Sequence, residues 1–121
     1  MNTGEVGGDR ILSAILAGLV AYDPSGKPVN EVAESITPNS DATQFTVKIK
    51  DGWKFTDGTP VTSESFTKAW SYAANVTNAQ LNSSYFSIVK GYDELQKEGT
   101  PSDAQLSGLV VEDDHTFQIN L

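Results

Sequence analysis

Residues 44–75 constrain the fold more tightly than any other stretch of this chain. Phe45, Val47 and Ile49 alternate with Thr46, Lys48 and Lys50. A side-chain period of two puts three apolar groups on one face and three polar groups on the other, the pattern of a half-buried strand. Asp51-Gly52 and Asp57-Gly58 then punctuate the chain, since glycine reaches positive φ without steric cost and aspartate bonds its own backbone two residues on. Trp53 and Phe55 alternate between these turns. Pro60 fixes its own φ, and Thr62 or Ser63 is placed to cap a following helix. On that helix Phe66, Ala69, Trp70, Ala73 and Ala74 fall at i, i+3, i+4, i+7 and i+8, a single apolar stripe predicted to face the core.

The 121 residues suffice for one domain with one core. A hydrophobic content of 38% with 20% charged residues is that of a globular chain, not a disordered one. The net charge of −8 argues against nucleic acid, which needs clustered Lys and Arg, and against an anionic membrane surface; the acidity reads as solubility. The absence of cysteine excludes disulfides, thiolate metal sites and cysteine nucleophiles. No apolar run approaches the roughly 20 residues of a membrane-spanning helix. Met1 is followed by Asn-Thr-Gly-Glu, without the basic start and apolar run of a signal peptide; an exported chain that begins after its leader would look the same.

Residues 1–8 are small, polar and glycine-rich and predict a loose lead-in. Asp9 is placed to cap a first helix, with Ile11, Leu12, Ile15, Leu16 and Leu19 as its buried face. Gly18 within that pattern costs about 1 kcal/mol against alanine and is expected where another backbone comes close. Tyr22-Asp23-Pro24-Ser25-Gly26-Lys27-Pro28 is a turn that ends the helix. Residues 29–36 fit either a single helical turn or the lead into a strand. A hairpin over about residues 35–50 is the simplest account of the next stretch. Residues 75–84 read as a polar loop, Tyr85, Phe86, Ile88 and Val89 as a short apolar cluster, and residues 92–97 as a short helix closed by Gly99. Residues 109–112 and 116–121 flank Asp113-Asp114-His115 as a second hairpin, with Phe117, Ile119 and Leu121 on one face. The expected fold class is α+β, with about four mostly antiparallel strands and helices packed on one sheet face. The strand pattern runs up to Leu121, as expected of a piece of a longer chain.

Reactive groups are sparse. His115 is the only histidine; beside Glu112, Asp113 and Asp114 it reads as a turn residue, with no second histidine to complete a metal site. Asp51 and Asp57 have turn roles, and Glu64 lies in a first helical turn where the helix dipole favours an anion. One histidine at a hairpin tip supplies no catalytic triad. Gly4-Glu5-Val6-Gly7-Gly8 lacks the lysine and the preceding strand of a phosphate loop. No enzyme activity, cofactor or metal is expected. Trp70 is read as core, Tyr72 as covering a flank, and Tyr85 as presenting a ring and a hydroxyl together.

Residues 45–70, Phe-Thr-Val-Lys-Ile-Lys-Asp-Gly-Trp-Lys-Phe-Thr-Asp-Gly-Thr-Pro-Val-Thr-Ser-Glu-Ser-Phe-Thr-Lys-Ala-Trp, resemble a signature of the family 5 extracytoplasmic solute-binding proteins of peptide ABC transporters, the oligopeptide- and dipeptide-binding family. That pattern is a strand followed by Gly-x-x-Phe-x-Asp-Gly-Thr-Pro-Val-Thr-Ala-Glu-Asp-Val and a helix with an Ala-Trp or Ser-Trp pair. Gly18-Leu-Val-Ala-Tyr-Asp, Glu31-Val-Ala-Glu-Ser-Ile and the hairpin over residues 109–121 resemble further family segments, with Ile36 in place of a tryptophan.

The resemblance implies a periplasmic-binding-protein type II-like fold in which two lobes close over a peptide. It also implies that residues 1–121 form a single subdomain, the extra subdomain of the first lobe. The implied partners are a peptide ligand, the remaining lobes and an ABC transporter permease, with membrane attachment only through an anchor outside this sequence. In the family the segment before the first helix lies beside the ligand, which makes Glu5 and Val6 candidate ligand-binding residues. A tyrosine after the main helix approaches the ligand in some relatives, which makes Tyr85 a third. The alternatives are a binding protein for another small solute, such as a nickel complex, and a protein-interaction module.

Overall fold

The computed structural model describes residues 5–121, the side chains of Asp9 and Arg10 excepted. In chain order the elements are α1 (Val6–Ile15), β1 (Val20–Tyr22), β2 (Pro28–Asn30), β3 (Ala33–Pro38), β4 (Gln44–Ile49), α2 (Ser63–Ala74), two 3₁₀ turns (Val76–Asn78 and Ser83–Phe86), α3 (Tyr92–Leu95), β5 (Leu109–Asp113) and β6 (Thr116–Asn120). β1 and β2 form a small sheet of their own. The other four strands form one antiparallel sheet in the order β3-β4-β6-β5.

β4 is an interior strand of that sheet. It pairs with β3 on one side and β6 on the other, with Val47 opposite both Ile36 and Phe117. The period-two reading holds: Val47 and Ile49 are buried and Lys48 is exposed. Both Asp-Gly turns form, with Gly52 at φ 86° and Gly58 at φ 89°. The second is cinched by Asp57, whose carboxylate accepts from the Thr59 amide at 2.9 Å. Around it Phe55 and Thr59, and Trp53 and Val61, are joined by backbone bonds. α2 starts at Ser63 after Thr62, whose amide donates to the Ser65 hydroxyl at 3.0 Å, one arm of a capping box.

α2 lies on the sheet face that carries Phe117. Phe66 stacks on Phe117 with ring centroids 6.1 Å apart, and Trp70 meets the same ring edge-on at 5.8 Å. One buried cluster holds Val32, Val47, Ile49 and Phe117. A second, past the end of α2, holds Ala74, Val89, Leu95 and Leu106. The predicted stripe is off by part of a turn. Ala69 is exposed, and the fully enclosed positions of α2 are Ser63, Thr67, Ser71 and Ala74. The cause is distance: small side chains at i, i+4 and i+8 let the helix backbone approach closely, while Phe66 and Trp70 spread to either side over the sheet. The Ser71 hydroxyl is satisfied by accepting from the Leu106 amide at 3.0 Å. The Ser63 hydroxyl has no hydrogen-bond partner.

The N-terminal reading needs the larger correction. The helix starts at Val6 with Glu5 as its N-cap, not at Asp9, and ends at Ile15. Residues 16–22 are not helical. Gly18 donates to the Glu31 carboxylate at 2.9 Å and accepts from the Val32 amide at 3.1 Å, and Leu19 accepts from the Glu31 and Ala33 amides. These long-range bonds draw the chain into the β1–β2 hairpin, so the predicted helix-ending turn is a hairpin turn. There the Asp23 carboxylate accepts from the Ser25 amide and hydroxyl and from the Lys27 amide. The predicted buried face is largely open: Ile11, Ile15 and Leu16 are each more than half exposed. The first four residues of the glycine-rich lead-in lie outside the described residues.

Both predicted hairpins are present, β3–β4 and β5–β6, and residues 29–36 resolve as the end of β2 and the start of β3 around a bend at Glu31 and Val32, not as a helical turn. Leu121 falls beyond β6 and is 43% exposed, unlike Phe117. The loop over 75–84 contains a 3₁₀ turn, and it is pinned by Asn75, which is fully buried.

Candidate functional site

Glu5 and Val6 stand at the cap and first residue of α1, with Val6 72% exposed. Tyr85 stands in the turn Ser83–Phe86 beyond the other end of the fold's main helix and is 78% exposed. That turn is not a wandering loop. Its next residue, Phe86, packs against Trp70 at 6.2 Å between ring centroids, and Val89 belongs to the second core cluster. Lys90 then exchanges backbone bonds with Asn120 and Gly108 at the end of β6. The Tyr85 ring is therefore presented outward from a segment held on its inner side.

Two of the clefts bear on the sequence reading, and neither is lined by Glu5, Val6 or Tyr85. One of about 400 Å³ opens between the end of α1 and the start of α2, with Ile15, Leu16, Trp53, Phe55 and Phe66 among its walls. Sequence periodicity hides it, because it assigns Ile15 and Leu16 to the core. The other, of about 470 Å³, lies at one end of the sheet and is lined by Glu34, Lys48, Lys50, Asp51 and His115. There His115 Nε2 is 3.5 Å from Asp51 Oδ1, joining the turn after β4 to the β5–β6 tip. The same tip accepts backbone bonds from Ile49 and Ser63.

The carboxylates considered for chemistry have local partners. Asp57 is held below the ordinary carboxylate range by the Thr59 amide, and Asp113 likewise by the His115 amide. Glu64 pairs with Lys68 at 2.8 Å on the exposed face of α2. No group of three or more His, Cys, Asp or Glu is placed to hold a metal among the described residues. The surface offers recognition chemistry: exposed rings, exposed aliphatic side chains and backbone groups.

Residues 27–121 match the family described as bacterial extracellular solute-binding proteins, family 5 Middle. The periplasmic oligopeptide-binding protein OppA of Escherichia coli is 34% identical over 109 residues, which is 88% of this chain and 20% of that protein. The oligopeptide-binding protein OppA of Bacillus subtilis is 25% identical over 112 residues, 92% of this chain and 20% of that protein. This chain thus spans about a fifth of the length of these relatives. Among solved structures, Haemophilus influenzae OppA in complex with the peptide RPPGFSPFR superposes with a TM-score of 0.88 at 26% identity, covering 98% of this chain and 23% of that one. An oligopeptide ABC transporter substrate-binding domain from Bacillus anthracis gives 0.84 at 26% identity, covering 99% and 23%. With the signature over residues 45–70 inside the matched range and the fold shared with these structures, the chain belongs to the family 5 bacterial extracellular solute-binding proteins.

Proposed function

We propose that this chain is part of a protein that captures peptides outside the cytoplasmic membrane and delivers them to an ABC importer, without catalysis. The observation that carries the reading is the match of nearly the whole chain, in sequence and in fold, to oligopeptide-binding proteins, one of them solved with a peptide bound. The chain is then one subdomain of a two-lobed protein that closes over its ligand, and its partners are the peptide, the remaining lobes and a permease. Its place is the periplasm, or the cell surface through a lipid anchor.

Within this subdomain the ligand side is the one that bears Glu5, Val6 and Tyr85. All three are exposed, Tyr85 on a segment held by Phe86 and Val89, and they are suited to contact a ligand that other lobes also hold. The test is calorimetric titration of the full-length protein with defined tri- to pentapeptides and, separately, with nickel complexes. Saturable peptide binding is expected. Binding of a nickel complex with no response to any peptide would replace this reading with a metal-solute one.

A further inference from the structure

We infer that the cleft of about 470 Å³ at the end of the four-stranded sheet is a site for a small zwitterion, a free α-amino acid, whose carboxylate faces Lys48 and whose ammonium group faces Glu34. Glu5, Val6 and Tyr85 are not among its walls, so the site is separate from the one assigned to peptide and does not depend on it. The first observation is a register shift. Ala33 of β3 stands opposite Ile49 of β4, and regular pairing from there would set Glu34 opposite Lys48, a cross-strand ion pair. Instead the pairing slips between Ala33 and Ser35, and Ser35 takes the place opposite Lys48. On the other side of β4, Lys48 stands opposite Thr116 of β6, also uncharged. A bulge of this kind re-aims the side chain of its extra residue. Here it leaves Glu34 and Lys48 in the lining of one cleft without joining them.

The second observation is how the other charges of the cleft are tied. Lys50 Nζ donates to the Glu31 carbonyl at 2.7 Å and to the Asn30 carbonyl at 3.4 Å. Asp51 Oδ1 lies 3.5 Å from His115 Nε2. Those groups hold the walls, Lys50 toward the end of β2 and Asp51 toward the β5–β6 tip. The Lys48 ammonium and the Glu34 carboxylate have no hydrogen-bond or ion-pair partner among the described residues. One cation and one anion on adjacent strands therefore stay open to the same space. A ligand of a single sign would attract one and be repelled by the other, whereas a molecule that carries both signs matches both, each through a charge-assisted hydrogen bond.

The experiment uses the full-length protein, labelled at isoleucine and threonine methyl groups for NMR and titrated with L-alanine, N-acetyl-L-alanine and L-alaninamide. Ile49 and Thr116 line the cleft and report binding there. Alanine should shift both signals saturably. Each blocked form should bind about tenfold or more weakly, the scale of one lost charge-assisted bond, and this arm needs no substitution. Lys48→Met and Glu34→Gln, both at exposed positions, should each weaken alanine by a similar factor and leave Tm and peptide affinity unchanged. No saturable shift with alanine would overturn the site. So would a blocked form that binds as tightly as alanine, which would make this a site for a single charge, or alanine affinity unchanged in both variants. Alanine binding here in a protein that takes no peptide would sink the peptide reading and leave this site standing, so the two fail separately.

Discussion

Replacing Asn75 should both destabilise the protein and loosen the segment that carries Tyr85. Asn75 ends α2 and is fully buried. Its side-chain amide donates to the Pro101 carbonyl at 2.8 Å, and its side-chain oxygen accepts from the Thr77 amide at 3.0 Å. Asn75→Ala removes both bonds. Each backbone group left unpaired costs about 1–3 kcal/mol if it stays dry. Pro101 and Thr77 are themselves exposed, so water reaches part of each, and about 2 kcal/mol in total is expected. That corresponds to about a thirtyfold rise in opening. Hydrogen exchange of the full-length protein, read by mass spectrometry, should show it over residues 75–89 and not in β4. Asn75→Asp is a sharper variant. It keeps an acceptor for Thr77 but sets a carboxylate against the Pro101 oxygen, and burial raises the pKa of an unpaired acid. An acid whose folded pKa is raised contributes most stability at low pH and loses it as pH rises through that value, so Asn75→Asp should be least damaging under acid conditions. If Asn75→Ala melts like the unsubstituted protein and exchange over 75–89 is unchanged, the idea that this residue pins the segment is wrong.

Phe117→Ala should cost about 3–5 kcal/mol, read from urea denaturation, because it removes the ring that Phe66 and Trp70 share at the centre of the core. Gly91→Ala should destabilise more than Gly99→Ala. Both glycines have positive φ, but a β-carbon at Gly91 would stand 2.7 Å from the Ser107 amide nitrogen, whereas Gly99 has open space; equal melting temperatures for the two variants would refute the steric part of this account. Asp57→Ala should lower stability and leave peptide affinity unchanged, and a collapse of affinity at unchanged Tm would instead place Asp57 in the site. Asp57, Asp23 and Asp113 all sit below the ordinary value of 3.8, through the Thr59 amide, the Ser25 hydroxyl and the His115 amide respectively. A depressed acid contributes stability above its unfolded pKa and loses it as pH falls through the folded one. Acid unfolding should therefore set in below about pH 4 and be shallower in Asp57→Ala.

Where the fold is legible in the sequence, its determinants are local. β4, the two Asp-Gly turns, the start of α2 and the β5–β6 hairpin rest on a period of two, on turn chemistry and on a cap, all within a few residues of one another. Where it is not, the deciding partner is distant. Residues 16–22 have a helical pattern, yet Gly18 and Leu19 bond to residues 31–33 and the chain becomes a hairpin. Asn75 reads as the first residue of a polar loop, yet its partner is Pro101, 26 positions on. The seating of α2 on Ser63, Thr67 and Ser71 depends on how close helix and sheet approach, which hydrophobicity along one helix does not encode. The candidate site follows the same division. Glu5, Val6 and Tyr85 are reached through family resemblance, which no local pattern in the sequence supplies. Ile11, Ile15, Leu16 and Ile88 have something in common: the sequence pattern counts each among apolar core or cluster residues, and each is more than half exposed. Periodicity finds side chains that avoid water, whether the cover comes from the same domain, another lobe or a ligand. The exposed apolar residues that it assigns to the core are the first to test for contact with a ligand, Ile15 and Leu16 above all, since they line a cleft with Trp53, Phe55 and Phe66.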